Sequence, residues 1–127
     1  MDKQQLHAAI KKGEFPTETI LAGTDYSDTD LAGSIFMKVD FSDCNFAASN
    51  LEQSSFINCN LANANFDGCN LTNCTFSEDE LSGTTFVNSL FKTTAFSHCS
   101  LPHSKFSRSN ISQISFDHCD FKRANFD

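Results

Sequence analysis

Residues 41–71 read FSDCNFAASNLEQSSFINCNLANANFDGCNL, and every fifth residue of this stretch is Phe or Leu. The same spacing continues in both directions from Leu21 to Phe126, through 22 positions that are all aliphatic or aromatic and never change register. Thirteen of the 14 Phe residues lie in this column, and only Phe15 lies outside it. Because a period of five fits neither a lone helix nor a flat strand, it indicates a repeat architecture.

A second column lies two residues before the first. From Thr24 to Ala124 it has 21 positions, of which 18 are Ala, Ser, Thr or Cys. Residues two apart on an extended chain point to the same face, so each five-residue unit places one large and one small side chain inside. The other three positions of each unit are mostly polar and suit solvent and turns. The sequence therefore predicts a solenoid whose chain turns a corner after each short extended unit.

A small residue followed by Asn and then by Leu or Phe recurs in Cys44-Asn45-Phe46, Ala64-Asn65-Phe66, Cys69-Asn70-Leu71 and Ala124-Asn125-Phe126. This pattern resembles that of the pentapeptide-repeat family over about five-sixths of the chain. The resemblance implies an all-β solenoid, a right-handed quadrilateral β-helix with 20 residues per coil and about 5.5 coils. We expect an N-terminal helical cap over residues 1–18 and the β-helix over residues 19–127.

Aromatic and aliphatic residues alternate along the large column. All 11 positions ending in six are aromatic, whereas eight of the 11 positions from Leu21 to Phe121 are aliphatic. This alternation predicts aromatic ladders on two opposite sides of a four-sided coil. We expect Phe66→Ala to cost about 3–5 kcal/mol, and substitution of the outward Asn63 or Asn73 to cost less than about 0.5 kcal/mol. The predicted core ladder is Phe36, Phe46, Phe56, Phe66, Phe76, Phe86, Phe96, Phe106 and Phe116.

The residues before the repeats predict a short amphipathic helix from Asp2 to Lys12. Asp2 is a suitable N-cap, and the Gly that follows Lys12 suits the end of a helix. Leu6 and Ile10 share one helical face, and we expect them to cover the first coil together with Phe15.

The other end of the repeats stops directly after a column Phe, without a second helix. Three explanations remain open for this end. The chain is part of a longer solenoid, two copies meet end to end as a homodimer, or the charged Lys122, Arg123 and Asp127 protect the edge.

Three residues interrupt the small column: Val39, Asp79 and Ile114. The first and last only add volume, but a lone buried carboxylate is costly. Asp79 is therefore expected either to accept hydrogen bonds from backbone amides at a corner or to reach solvent through a local bulge. The bulge is the favoured interpretation.

Charge is distributed unevenly along the chain. Residues 24–80 contain ten acidic residues and one basic residue, a net charge of −9, whereas residues 81–127 contain three acidic and five basic, a net charge of +2. The total of −7 argues against general nucleic-acid binding. The predicted interaction surface comprises the acidic residues Asp25, Asp28, Asp30, Asp40, Asp43, Glu52, Asp67, Glu78 and Glu80 and the outward apolar residues Met37, Ile57, Val87 and Leu90.

Residues capable of chemistry are present without a catalytic pattern. All six Cys lie in the small column without a Cys-x-x-Cys pair, so we interpret them as reduced core residues, and Cys99 and Cys119 as the only pair spaced for a disulfide. His98 and His118 are 20 residues apart and should stack on the surface, either as a solvated pair, which we favour, or as a weak metal or pH-sensing pair. The sequence predicts no enzyme, cofactor or metal.

The pattern as a whole predicts a non-catalytic bacterial interaction or scaffold module that presents flat β-helix faces to a protein partner. No apolar membrane span or signal-peptide core is found, so we expect a cytoplasmic protein, or one exported without a cleaved signal peptide. Residues 6–15 also resemble the start of pentapeptide-repeat proteins encoded near bacterial secretion systems, which implies an adaptor or effector-accessory role.

An alternative function follows from the same family. Some bacterial members resemble duplex DNA in shape and charge and bind DNA gyrase, conferring quinolone resistance. An acidic rod could imitate phosphates spaced about 1.7 Å along the axis. This chain departs from that subgroup because it is shorter, lacks their C-terminal dimer helix and loses its acidity in the second half. Neither direct nucleic-acid binding nor a membrane partner is expected.

Overall fold

The computed structural model describes all 127 residues. One helix, α1 (Lys3–Lys11), precedes five short strands, β1 (Ile35–Met37), β2 (Ser55–Ile57), β3 (Thr75–Ser77), β4 (Thr94–Ser97) and β5 (Ile114–Asp117). The strands form one parallel sheet in chain order. Each residue pairs with the residue 20 positions later, as Phe36 does with Phe56. A coil of 20 residues contains four five-residue units, so the solenoid has four sides.

We number the four sides by the inward residue at their centre. Side 1 contains β1–β5, whereas sides 2, 3 and 4 are joined by single bridges such as Asp40 with Asn60, Asn45 with Asn65 and Asn50 with Asn70. The centres are Leu21, Phe41, Leu61, Leu81, Leu101 and Phe121 on side 2; Tyr26, Phe46, Phe66, Phe86, Phe106 and Phe126 on side 3; and Leu31, Leu51, Leu71, Phe91 and Ile111 on side 4.

The number of regular turns is smaller than the predicted 5.5 coils. The strands of side 1 make about four turns between β1 and β5. Only single bridges extend the pairing beyond them, to Thr17 at one end and Asn125 at the other. The difference depends on what is counted, because paired residues extend from Thr17 to Asn125 whereas regular strands extend only from Ile35 to Asp117.

The large side chains fill the interior of the coil. From Tyr26 to Phe106, every residue of the column is at most 4% exposed, and Phe116 is half-buried. Ring centroids are 5.1 Å apart along side 3 between Phe46 and Phe66, and Phe66 meets Phe56 of side 1 edge to face across the core at 5.8 Å. Sides 1 and 3 are therefore the two opposite aromatic sides that the alternation predicts.

The small column forms a ladder of hydrogen bonds beside the aromatic core. The Ser49 hydroxyl donates to the carbonyl of Tyr26 at 2.8 Å and accepts the amide of Thr29 at 3.2 Å. Ser54 makes the same pair of contacts with Leu31 and Ser34. Because the side chain both donates and accepts between coils, Ser, Thr and Cys suit this column in a way that Ala does not.

Every corner from Gly23 to Arg123, except the one at Gln113, contains one residue with a left-handed backbone, two positions after the large residue. Gly adopts this conformation freely, and Asn and Asp adopt it more readily than other residues. Asn63 has φ 60° and Asn73 has φ 57°. Both side chains reach solvent, as the expected cost of less than about 0.5 kcal/mol assumes, but the left-handed backbone adds a preference for Asn and so raises the cost that we expect.

Helix α1 covers the first coil, as the sequence predicts. The Asp2 carboxylate accepts the amide of Gln5 at 2.9 Å, and the Gln5 side chain accepts the amide of Asp2 at 2.8 Å, which completes a capping box. Leu6 and Ile10 are buried against the core, with Phe15 partly buried beside them. The helix thereby shields apolar side chains that an uncovered coil would expose to water.

Candidate functional site

The nine acidic residues of the predicted interaction surface surround the rod rather than lying on one face. No member of the set lies on an outward position of side 1. Their carboxylates are on side 2 (Asp40 and Glu80), side 3 (Asp25 and Asp67) and side 4 (Asp30 and Glu52), and at three corners (Asp28, Asp43 and Glu78). The acidic half is therefore charged on three sides and neutral on the fourth.

Several of these carboxylates stabilise a turn of their own unit. Asp25 accepts the amide of Ser27 at 2.9 Å, and hydrogen bonding first with the Ser27 side chain and then with this amide lowers the pKa of the Asp25 carboxyl. Asn45 accepts the amide of Ala47 in the same way, also at 2.9 Å. Because an amide oxygen satisfies the turn as well as a carboxylate does, the local structure does not require the negative charge. The charge is available for solubility or for a partner.

The four predicted apolar residues divide into two pairs. Met37 and Ile57 are neighbours on β1 and β2 of side 1. Val87 lies on side 3, and Leu90 lies around the next corner on side 4. The structure therefore does not bring the four residues together into one patch.

The sequence analysis missed two exposed apolar residues, Ile35 and Ile20, of which Ile35 enlarges the first pair. Ile35 and Met37 flank Phe36 on β1 and are 44% and 43% exposed. Ile20, at the start of side 2, is 77% exposed. The outward positions of Ile35 and Ile20 in the five-residue register were the signal that could have identified them.

Side 1 differs from the other sides because its outward surface is almost free of charge. Asp117, on the last strand, is the only ionisable residue among the outward side chains of β1–β5. The remaining outward residues are Ile35, Met37, Ser55, Ile57, Thr75, Ser77, Ala95, Ser97 and Ser115. Side 1 is thus a neutral sheet face of small and β-branched side chains with an apolar cluster at its α1 end.

Asp79 is buried in the small column, and the coil does not bulge around it. The residue is 3% exposed, and its Oδ1 accepts the amide of Cys59 at 2.8 Å, so the backbone-amide alternative is correct and the favoured bulge is wrong. Its Oδ2 is buried without a hydrogen-bond partner. Burial raises the pKa of Asp79 to about 8 against the lowering effect of backbone hydrogen bonds from Cys59 and Ser77, and the charge of Glu78 raises it further.

The six cysteines are free thiols inside the small column, and all but the half-buried Cys119 are buried. Their sulfur atoms replace the serine hydroxyls of the ladder, and that of Cys69 donates to the Phe46 carbonyl at 2.9 Å. Burial raises the pKa of Cys69 to about 12. A buried thiol with a raised pKa is a poor nucleophile, so this column has a packing role. Cys99 and Cys119 form no disulfide with each other.

His98 and His118 stack on the corner between sides 1 and 2. Their ring centroids are 4.8 Å apart and the ring planes differ by 1°. One Nδ1 lies 2.9 Å from the Ser97 hydroxyl and the other lies 2.8 Å from the Asp117 carboxylate. Parallel rings direct their lone pairs in parallel, so the two Nε2 atoms do not converge on one ion. No group of three or more His, Cys, Asp or Glu is placed to hold a metal.

A shallow polar cleft separates α1 from the first coil and includes Lys3, His7 and Asp30 among its lining residues. Lys11 pairs with the Asp30 carboxylate at 3.0 Å, and the His7 ring lies 2.9 Å from the Asp30 carbonyl. These contacts attach the helix to the coil, so the cleft belongs to the cap. The helix of nine residues is too short to cross a bilayer, and the structure contains no other helix.

Comparisons with known proteins agree with this architecture. A family model described as a pentapeptide repeat region matches residues 49–126, and a second, described as pentapeptide repeats in eight copies, matches residues 17–53. No curated protein matches the sequence at a significant level.

Two of the solved structures that resemble this fold show the extent of the likeness. Full-length QnrB1, a plasmid-mediated fluoroquinolone resistance protein, has a TM-score of 0.59 at 15% identity, covering 98% of this chain and 80% of QnrB1. Rfr23, a pentapeptide repeat protein from the cyanobacterium Cyanothece 51142, has a TM-score of 0.53 at 9% identity, covering 98% and 99% of the two chains. At such low identity, the resemblance is one of fold.

Proposed function

This chain belongs to the pentapeptide-repeat family, and on that premise we propose that it is a non-catalytic interaction module that presents side 1 to a protein partner. The observation that carries the proposal is the neutral face of side 1, with Ile35, Met37 and Ile57 exposed or half-buried at its α1 end. The other three sides carry the charge that keeps the rod in solution. Side 1 is therefore the side from which a partner removes the most apolar surface at the smallest desolvation cost.

The proposal places this module in a bacterial cytoplasm, with an adaptor or effector-accessory role linked to secretion as its narrower form. Six free thiols support a reducing compartment. The neutral side 1 supports a protein rather than a nucleic-acid partner, because nucleic-acid interfaces are strongly basic.

The experiment is cross-linked capture from host cells with variants that add one charge to one side. Ile57→Lys places an ammonium in the centre of the apolar cluster, and Ala62→Lys makes the same addition at the corresponding outward position of side 2. Proteins captured by the wild-type chain should be lost with the first variant and retained with the second. Equal capture by both variants, with circular dichroism showing that both fold, contradicts the choice of side 1.

The alternative function is imitation of duplex DNA toward a gyrase-type enzyme. It is supported by the acidic residues on sides 2, 3 and 4 of the first half of the rod. A supercoiling assay tests it, with Asp25→Asn and Asp40→Asn as charge-removing variants that preserve the turn hydrogen bonds. Inhibition or quinolone protection that weakens in these variants supports imitation of DNA. No effect at micromolar protein removes this alternative.

A further inference from the structure

Side 3 has two acidic residues near one end and two basic residues near the other. Asp25 and Asp28 lie on the first coil, and Lys105 and Arg108 lie on the fifth, which we call the acidic end and the basic end. The bridges Asp25–Asn45, Asn45–Asn65, Asn65–Thr85 and Thr85–Lys105 join these ends in one straight column. The column continues for one more unit, to Asn125 and the exposed Asp127, beyond the region that the two ends enclose. At about 4.8 Å per coil, the two ends are about 19 Å apart.

These four charged side chains have no ionic partner within the chain. All four residues are exposed. The ion pairs of the molecule join other residues: Lys11 with Asp30, Lys38 with Glu18, and His118 with Asp117. The charges at both ends of side 3 are therefore free to pair with a second molecule.

The middle of side 3 permits close approach. Its outward positions hold small or uncharged residues, including Ala47, Ala48, Gly68 and Val87. Asp67 is the exception, and its carboxylate is turned onto the backbone, where it accepts the amide of Val87 at 2.9 Å. No long charged side chain stands between the two ends.

We propose that side 3 is a docking surface for a second copy of this chain, arranged antiparallel. A two-fold axis crosses the third coil at the level of Asn65 and Gly68. Each residue column of one copy then faces the same column of the second copy, which runs in the opposite direction. Asp25 then meets Lys105 of the second copy, Asp28 meets Arg108, and Ala47 meets Val87. A two-fold axis repeats every such contact, so one face supplies both halves of the interface.

The charge distribution selects this arrangement over a parallel one. Parallel copies would place the two acidic ends against each other, which is unfavourable for chains of net charge −7. The antiparallel arrangement instead places each acidic end against a basic end. It uses side 3, so it depends neither on a partner at side 1 nor on an end-to-end contact of the last coil.

The size of the surface predicts a weak dimer. A face roughly 24 Å long and 10 Å wide buries about 500 Å² in total, below the about 1,000 Å² of stable specific interfaces. Affinity should then depend on the charged ends and fall as salt screens them. The dimer should therefore form only at high protein concentration or within a crowded assembly.

Sedimentation equilibrium tests the proposal with charge reversals at the corner residues of the two ends. Asp28 has φ 52° and Arg108 has φ 55°, so the corner accepts both residue types and their exchange should not strain the backbone. Wild-type protein in about 0.05 M salt should rise with concentration from 14.1 kDa toward twice that mass, and it should remain monomeric in about 1 M salt.

The reversals distinguish this interface from other modes of association. Asp28→Arg and Arg108→Asp should each weaken the dimer at least about tenfold, whereas the double exchange should restore it because both pairs re-form with inverted sign. Lys122→Asp, the same loss of positive charge on side 2, is the matched control and should dimerise like the wild type. A monomer at about 1 mM in low salt, an unrescued double exchange, or equal loss in the control overturns the proposal.

Discussion

Asp79 has an environment unlike that of any other residue in the small column. Most Ser, Thr and Cys side chains of this column donate to the carbonyl 23 residues earlier, as Ser89 does to Phe66 at 2.7 Å, whereas Thr84 and Ser104 donate to the carbonyl three residues earlier. For Asp79 the corresponding carbonyl belongs to Phe56, and only a protonated Oδ2 can donate to it. A neutral carboxylic acid would therefore satisfy the ladder, whereas the ionised form leaves a charge in the core.

We predict that Asp79→Asn stabilises the protein at neutral pH. The pKa of Asp79 is about 8 in the folded protein, and its ordinary value is 3.8. The wild-type protein therefore loses stability as the pH rises from about 4 to about 8, and above that pH the loss stays constant. Asn has a permanently neutral amide, so the gain should be about 2 kcal/mol at pH 5 and about 4 kcal/mol at pH 7. Urea unfolding at both pH values measures it.

The control for this substitution is Asp43→Asn, which makes the same chemical change at an exposed corner with φ 59°. It should change the free energy of unfolding by less than about 0.5 kcal/mol at either pH. If the Asp79→Asn variant is less stable than the wild type at pH 7, the Asp79 carboxyl group is ionised in the folded protein.

Phe66→Ala should cost about 3–5 kcal/mol, because the ring is fully buried and stacks on Phe46 and Phe86 at 5.1 Å each. Asn63→Ala should cost about 1 kcal/mol through the left-handed backbone, more than its outward position alone suggests. Chemical denaturation compares the two. Equal losses would contradict the assignment of inward and outward positions.

At the scale of the corner element, Thr93 is the residue least suited to its place. It has φ 54°, and β-branched residues rarely adopt the left-handed region. Asn73 occupies the same column one coil earlier with φ 57°. The two residues therefore form a matched pair for measuring what the corner prefers.

We predict that Thr93→Asn stabilises the protein by about 1 kcal/mol and that Asn73→Thr destabilises it by a similar amount. Both substitutions are exposed and leave the core unchanged, so the midpoints of thermal unfolding should shift in opposite directions. Shifts in the same direction would mean that these corners are decided by side-chain contacts rather than by backbone conformation.

At the scale of the whole molecule, stability should vary along the rod, because each coil of a solenoid contacts only its neighbours. The middle coils are buried, whereas Ile111 and Phe126 of the last coil are 36% and 39% exposed. The first coil is covered by α1, with the Tyr26 hydroxyl donating to the Met1 carbonyl at 2.7 Å.

Hydrogen exchange should therefore be graded rather than uniform. Amides of β5 and of the residues after it should exchange at least about a hundredfold faster than those of β2 and β3. Mass spectrometry of peptides from each coil measures the gradient in dilute protein. Equal protection at β5 and β3 would indicate that the last coil is covered by another copy or that the rod opens as one unit.

The sequence anticipated the fold more completely than the candidate site. Phe66 and Asn63 could be assigned inside and outside because a five-residue period repeats the same burial at every unit. The interaction residues were chosen by type, which cannot say whether Met37 and Leu90 share a side. A bulge was favoured for Asp79 because a buried charge is costly. The Cys59 amide that donates to this carboxylate belongs to another coil, so the local sequence around Asp79 did not reveal it.

The order of the amino acids is sufficient to define the unit: one large and one small inward side chain in every five residues, with a polar corner between units. That information is local, because the residue type at each position depends only on whether that position faces the solvent or the core. The tertiary structure decided which units lie against one another, since pairing occurs between residues 20 apart and depends on the angle accumulated over four corners. Only that pairing leaves side 1 neutral, gives side 3 its opposite ends and places the Cys59 amide against Asp79.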